Sequence, residues 1–467
     1  MKKTILSTAI IATAFLAASC AKENIQESIA PVENASVFTA TIENGASTKT
    51  TVERSAGSQA TYKTKWESTD QISINGVTYT AAPDVTDATQ ATFTTTSGSV
   101  PTATFKAYFP ANMYYSDSKA ILSASYTYTD GKYNMPMYAQ SETTSLSFKN
   151  LCGVLAITVN GTDFASVEKI EVFSDKQMNG EFSATAAGVL SFASVTLTDA
   201  LKKVALEFTS AKTIASDGSA TFYIPVPANT HNPLTIKVTG GSSTKIMVTK
   251  KSGGVAVERN KVYPITFDGE LIAGTANANI NSVETPVNWV RLWENGPKFA
   301  EYNVGATSAT DYGGYYAWGG SQDKVDDHNT GTVDLSPTSN PITDTATKLW
   351  GSNWRMPNKT ELIDLLSSCD VEWIDGSNKK YNNTNVSGLL CTGKGAYASN
   401  SVFLPAAGHC YCGIVYGQGD YGAYWSSTPY GRDYSFRLRF DSGGQYVDYF
   451  DHLGGCYSVR AVLAEFD

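Results

Sequence analysis

Apolar and polar residues alternate in short runs through much of the chain, and Gly, Pro, Asn, Asp or Ser closes each run. Period-two alternation sends successive side chains to opposite sides of a pleated strand. The runs therefore predict strands with one buried and one wet face. Val37-Phe38-Thr39-Ala40-Thr41-Ile42 opens the series. Gln71-Ile72-Ser73-Ile74 and Val77-Thr78-Tyr79-Thr80 are separated by Asn75-Gly76, a pair suited to the positive φ angles of a two-residue hairpin turn. Residues 104–109 read as a strand that stops at Pro110, and the same texture returns at 153–159, 169–173, 222–227, 234–238 and 262–267. Short strands at this spacing predict two tandem β-sandwiches, over 36–150 and 151–269. His231, beside Asn232-Pro233, is expected in a loop. Residues 270–286 hold few large apolar side chains and read as a linker.

From about residue 287 the texture changes. Seven of the eight Trp lie in 287–467. Helix signals also appear. Residues 344–349 suit a short helix. Asn358 can cap a second one, with Glu361 as its capping-box partner and Leu362, Leu365 and Leu366 on one face. The chain is thus expected to be mainly β, with two tandem sandwiches followed by an α+β domain.

The first residues bear on compartment. Lys2 and Lys3 precede a mostly apolar stretch over 4–18, too short for the roughly 20 residues of a membrane-spanning helix. Ala17, Ala18 and Ser19 then lead to Cys20. This order predicts a lipoprotein signal over 1–19 and lipidation at Cys20. The alternative is an ordinary signal peptide cut nearby. Residues 20–35 are polar and read as a tether. A lipidated Cys20 implies a membrane-anchored precursor at the outer membrane or cell surface. Only 17% of residues are charged and the net charge is −9, without a basic block, so nucleic acid is not an expected partner. The cysteines after Cys20 (Cys152, Cys369, Cys391, Cys410, Cys412 and Cys456) lack the spacing of a small disulfide framework. Cys369 with Cys391 is one candidate bridge.

Several short pieces resemble fimbrillin-like pilins: Phe38-Thr39-Ala40-Thr41-Ile42, Ser47-Thr48-Lys49-Thr50, Trp66-Glu67-Ser68-Thr69-Asp70-Gln71-Ile72, Phe148-Lys149-Asn150-Leu151-Cys152-Gly153-Val154-Leu155 and Asn260-Lys261-Val262-Tyr263-Pro264-Ile265. The resemblance covers about 36–268. It implies two sandwich domains, a lipoprotein precursor, and partner pilin subunits joined by donor-strand insertion. Arg54 could be a processing site in such a scheme or an exposed loop arginine. The segment 287–467 resembles the FISUMP family, whose C-type-lectin-like fold is related in shape to the formylglycine-generating enzyme. The residues that carry this are Tyr302-Asn303-Val304-Gly305-Ala306, 312–319, Asn353-Trp354-Arg355-Met356-Pro357, 403–408, Tyr424-Trp425-Ser426-Ser427-Thr428 and Ser458-Val459-Arg460-Ala461-Val462. The resemblance implies a compact domain whose two ends share a small sheet, with Arg355 and Arg460 in structural hydrogen bonds.

Nine Tyr crowd the stretch from His409 to Tyr457, among Gly, Ser, Asp, Arg, His and Cys. Tyr offers rigid contact area and a hydroxyl, while the small polar residues offer adaptable hydrogen bonds. This composition suits a recognition face for a surface glycan or protein. The candidate ligand-binding residues are His409, Tyr411, Tyr416, Asp420, Tyr421, Tyr430, Arg432, Asp433, Tyr446, Asp448, Tyr449 and His452. The bland alternative is a Tyr-rich core, and Tyr424 beside Trp425 is expected there. Scattered cysteines among these residue types also fit diversification by a retroelement that mutates adenines in Asn codons. A metal site has little support, because His328, His409 and His452 lack ligand spacing. Asp420, Asp433, Asp441, Asp448 and Asp451 could supply calcium oxygens, with solvated loop carboxylates as the alternative. No catalytic residue, cofactor or metal is expected. The reading is a surface adhesin, at a fimbrial tip. The alternatives are a free-standing surface lipoprotein and an enzyme on the lectin-like scaffold.

Overall fold

A computed structural model describes residues 36–43, 65–96, 100–116, 118–129, 135–241, 243–249, 253–321, 323, 344–430, 434–452 and 455–464. Cys20, Arg54, His328, Arg432 and Asp433 lie outside them, as do the expected signal and tether. The described chain is mainly β.

Seven strands form the first body: Val37–Ile42, Ser145–Asn150, Met137–Ser141, Phe105–Phe109, Gln71–Ile74, Val77–Pro83 and Gln90–Thr94. Its layers join at both edges, so the strands close into a barrel. Val37–Ile42 runs parallel to Ser145–Asn150 and antiparallel to Gln90–Thr94. Its alternation is as expected, with Phe38, Ala40 and Ile42 inside. The ring of Trp66 meets Phe93, Phe109 and Phe148 edge-on at 5.0 to 5.3 Å, the favoured geometry for aromatic quadrupoles. Asn75 and Gly76 have φ angles of +45° and +87° and turn the chain between two antiparallel strands.

The second body packs the sheet of Ser219–Pro227, Cys152–Asn160 and Val262–Thr266 against a six-stranded sheet. Two of its features depart from the sequence reading. Strands Lys119–Leu122 and Ser125–Tyr128, which precede residue 150, pair with Gly180–Ala184 and Lys203–Thr213. The first two bodies are thus interlocked by strand exchange along one chain. The expected wet faces are also covered. Cys152 and Val154 point into the barrel core, while Leu155, Ile157 and Val159 point into the sandwich core. His231 is not in a loop: it lies on strand Asn229–His231, fully buried.

Residues 270–286 are not a linker. Glu270–Leu271 extends the six-stranded sheet, and Ala273–Ile280 forms a hairpin with Val283–Val290. Small residues suffice here because Ala278 and Val287 face a Trp-rich core while the opposite face is open. Val290 pairs with Phe299, and Phe299 with Val462, so the start and end of the third body share one sheet. Both helices lie where the sequence placed them. Asp344 caps Thr345–Trp350, and Asn358 caps Lys359–Ser368 with the Glu361 capping box complete. Cys369 and Cys391 are both buried free thiols in one cluster, without a bridge. Among the described residues no helix is long and apolar enough to cross a membrane.

Candidate functional site

A hairpin and a three-stranded meander build the candidate face. In the first, His409–Tyr411 pairs with Ile414–Tyr416. Its turn residues, Cys412 and Gly413, have φ angles of +48° and +76°, and two successive left-handed residues match the right-handed twist of the strands they join. Gly408 lets the two ends of this hairpin close on each other: a Cβ there would stand 2.0 Å from the carbonyl oxygen of Tyr416. The second element is the meander Tyr421–Tyr430, Tyr434–Asp441 and Gly444–His452. Phe436-Arg437-Leu438-Arg439-Phe440 alternates along its middle strand. Leu438 and Phe440 enter the core behind, which turns Arg437 and Arg439 to the other face.

On that face rings and guanidinium groups meet. The imidazole of His409 stacks with Tyr416 at 5.5 Å, Tyr421 at 6.0 Å and Tyr457 at 6.1 Å. His409 Nδ1 also shares a hydrogen bond with the Tyr421 hydroxyl. Arg439 lies over Tyr421 at 4.2 Å, and Arg437 over Tyr457 at 5.3 Å. Arg437 Nε donates to Asp448 at 3.3 Å. Tyr446 sits directly opposite Arg439 on the neighbouring strand. Cations over aromatic faces hold both partners in fixed orientations. The outermost rings remain open: Tyr411, Tyr416 and Tyr446 are 49%, 45% and 47% exposed. Asp420 is exposed beside this group.

The remaining candidates lie elsewhere. Tyr430 is at the far end of the strand that Tyr421 begins, about 30 Å away at the ordinary rise of a strand, less what the irregularity between Trp425 and Pro429 removes. Tyr430 packs edge-on against Phe436, which carries Lys359 Nζ at 4.0 Å. His452 pairs through its backbone with Tyr434 at that same end, and Tyr449 lies between the two groups on Gly444–His452. The side chains of Tyr449, Asp451 and His452 are outside the described residues. The structure therefore joins His409, Tyr416, Tyr421, Tyr446 and Asp448 into one patch and leaves Tyr430 and His452 at a second.

Arg437, Arg439 and Tyr457 belong to the patch and were not among the sequence candidates. The alternation of 436–440 was the signal that could have found the two arginines. Tyr424 is core, as expected. Its hydroxyl donates to the Pro405 carbonyl at 2.7 Å and accepts from Asn303, and burial pushes the phenol well above its ordinary range. Cys410 and Cys456 are also interior and stand directly opposite each other.

Beneath the patch lies a stiff support. Trp425 Nε1 donates to the Tyr316 carbonyl, and Trp318 Nε1 to that of Ser426. Arg460 is buried and donates to Asn303 Oδ1 and to the carbonyls of Ala300, Glu301 and Phe403. Burial pushes its pKa down to about 10, so it stays charged at neutral pH. Among the described residues no group of three or more His, Cys, Asp or Glu is arranged to hold a metal ion.

No family model matches the chain, and no curated protein does. Among solved structures, a candidate cell adhesion protein from Bacteroides uniformis is 17% identical, with 44% of this chain and 91% of that one covered and a TM-score of 0.30. A candidate cell adhesion protein from Bacteroides ovatus is 13% identical over 54% and 94%, with a TM-score of 0.30. A fimbrial protein from Bacteroides ovatus is 9% identical over 93% and 100%, with a TM-score of 0.23. Similarity at this level does not fix a role.

Proposed function

We propose that this chain is a cell-surface adhesin that captures a glycan or protein ligand through the patch around His409, Tyr416, Tyr421, Arg439 and Tyr446. The carrying observation is the stack of His409 with three tyrosines, braced by Arg437 and Arg439, whose outer rings stay open. Preorganised aromatic area binds with little loss of side-chain entropy. In this reading residues 287–467 form the C-type-lectin-like domain, with 270–286 added to it. The barrel and sandwich are the pilin-like part, which joins other subunits by donor-strand insertion, and the precursor is anchored through lipid on Cys20.

A position at the fimbrial tip is supported by the edge of the six-stranded sheet. Glu270–Leu271 occupies the outer side of strand Ser243–Val248 and leads straight into the terminal body. The middle of that edge, at Lys245 and Ile246, is thus taken by the chain itself. A free-standing surface lipoprotein remains the rival, and recovery of strand-exchanged pilin partners from cells separates the two.

The full chain probed against glycan and surface-protein arrays tests the adhesin reading. A hit should weaken by about tenfold or more with Tyr446→Ala or Arg439→Ala, the loss of an anchor worth about 1.4 kcal/mol or more. It should keep its strength with Tyr430→Ala. Equal loss with all three variants would remove the patch as the site. A fragment beginning at 287 is unsuitable, because it cuts the hairpin Ala273–Ile280 to Val283–Val290.

A further inference from the structure

Cys410 and Cys456 oppose each other in an antiparallel bridge in which each backbone N–H donates to the other's carbonyl, at 2.9 and 3.3 Å. Such a pair places its Cα atoms about 5.5 Å apart, inside the roughly 4.4–6.8 Å span of disulfides. Directly opposed residues share a face, and in a hydrogen-bonded pair their Cβ atoms lie toward the wide end of about 4.5–5.5 Å, so closure to the disulfide range of about 3.5–4.5 Å needs a shift of roughly 1–2 Å. Both side chains are buried, in one small cluster with Tyr315 and Ala407. The other cysteines are placed differently. Cys412 is exposed at a hairpin turn, and Cys369 and Cys391 lie in a separate core.

From this juxtaposition we infer that Cys410 and Cys456 form a disulfide when the chain folds under oxidising conditions. The bond closes a loop that contains Ile414–Tyr416 and the whole meander Tyr421–Tyr430, Tyr434–Asp441 and Gly444–His452. It therefore staples the base of the aromatic patch. The oxidant is a second disulfide, small or carried by a thiol oxidase. One cysteine thiolate attacks it to give a mixed disulfide and releases one thiolate. The second cysteine thiolate then attacks the mixed disulfide, forms the Cys410–Cys456 bond and releases the other thiolate. The two cysteines lose two protons and two electrons, and the oxidant disulfide is reduced to two thiols. Because both sulfurs are buried in the fold, exchange has to occur before this body finishes packing.

The purified full chain, unfolded in reductant and refolded in a glutathione redox buffer, supplies the test. After alkylation, a non-reducing peptide map is expected to show Cys410 linked to Cys456 as the dominant cross-link. Cys412→Ser should keep that link, and Cys456→Ser should leave Cys410 open to alkylation. Reductant should lower the unfolding midpoint of wild type by roughly 5–10 °C and leave that of Cys410→Ala/Cys456→Ala unchanged. Alkylation of both cysteines in the refolded wild type, or dominant links to Cys412, Cys369 or Cys391, overturns the inference. The same map on protein taken from the cell surface tests export separately. Thiols there, with the link formed on refolding, would count against an oxidising exterior.

Discussion

His231 shows how one buried residue sets a pH dependence. The Pro227 carbonyl can only accept, so Nε2 carries the proton at 3.0 Å from it, and Nδ1 faces the Ser174 hydroxyl at 2.7 Å. Burial lowers its pKa first of all, Lys176 adds to that, and the Pro227 carbonyl and Asp175 oppose it. A depressed folded value means the neutral ring stabilises the fold in full above the unfolded pKa of about 6.5. That contribution is lost as pH falls through the folded value. Thermal midpoints measured from pH 7.5 down to 5 should fall, and His231→Gln should flatten the slope while keeping an N–H for Pro227. A flat wild-type profile would contradict this. Arg460 is the opposite case, a charge held among neutral oxygens. Arg460→Met leaves Asn303 and three carbonyls without their donor and should destabilise the terminal body by on the order of 3 kcal/mol, read by denaturant unfolding. Arg460→Lys should do little better, since an ammonium cannot span the same fork of acceptors.

Elements with local causes were the most legible. Asn75-Gly76 and the capping box of Lys359–Ser368 follow from residues within a few positions of each other, and both formed as the pattern required. Arg355 adds a bidentate pair to Glu361, at 2.6 and 2.8 Å, which ties the cap to strand Trp354–Arg355. Asn358→Ala should therefore cost about 1 kcal/mol in urea unfolding, and Glu361→Ala more, because it also strips Arg355. The hairpin at Cys412-Gly413 was less legible, because its turn begins with a cysteine that no turn rule favours. The candidate patch divided in the same way. Tyr and His composition found its region, while its limits followed from strand register, which separates Tyr421 from Tyr430.

Across the whole molecule, the terminal body is fastened to the sandwich. Lys237, on a face that alternation marked as wet, is buried and donates to the Ala396 carbonyl at 3.2 Å and to Ser399 Oγ at 3.0 Å. Asn400 donates to the carbonyls of Ile272 and Arg291 at 2.9 and 3.0 Å. Ile246, Ile272 and Ala396 pack between them. Such a joint fixes the orientation of the patch relative to the sandwich beneath it. Asn400→Ala removes one donor from each of two carbonyls, of which that of Ile272 keeps the Arg291 N–H at 2.8 Å, and should weaken the joint by about 1–3 kcal/mol. Faster amide exchange over 394–400 and 270–273, with the barrel strands unchanged, is the expected readout.

The sequence by itself determined the mainly β class, the alternating strands named between 37 and 267, both helices with their caps, and the region where aromatic and polar residues gather. These depend on periods of two or 3.6 and on neighbours within a few positions, where side-chain direction and backbone sterics act. Tertiary structure alone decided the exchange of strand 125–128 into the second body and of strand 180–184 onto the barrel core, the hairpin at 273–290, the burial of Lys237 and His231, and the meeting of Arg437 and Arg439 with Tyr457 and Tyr421. Apart from the hairpin, whose strands are neighbours in the chain, each of these joins segments far apart in the chain or covers a face whose local pattern reads as solvent. Which surface covers another depends on burial summed over the whole fold, and no short window of residues contains that sum.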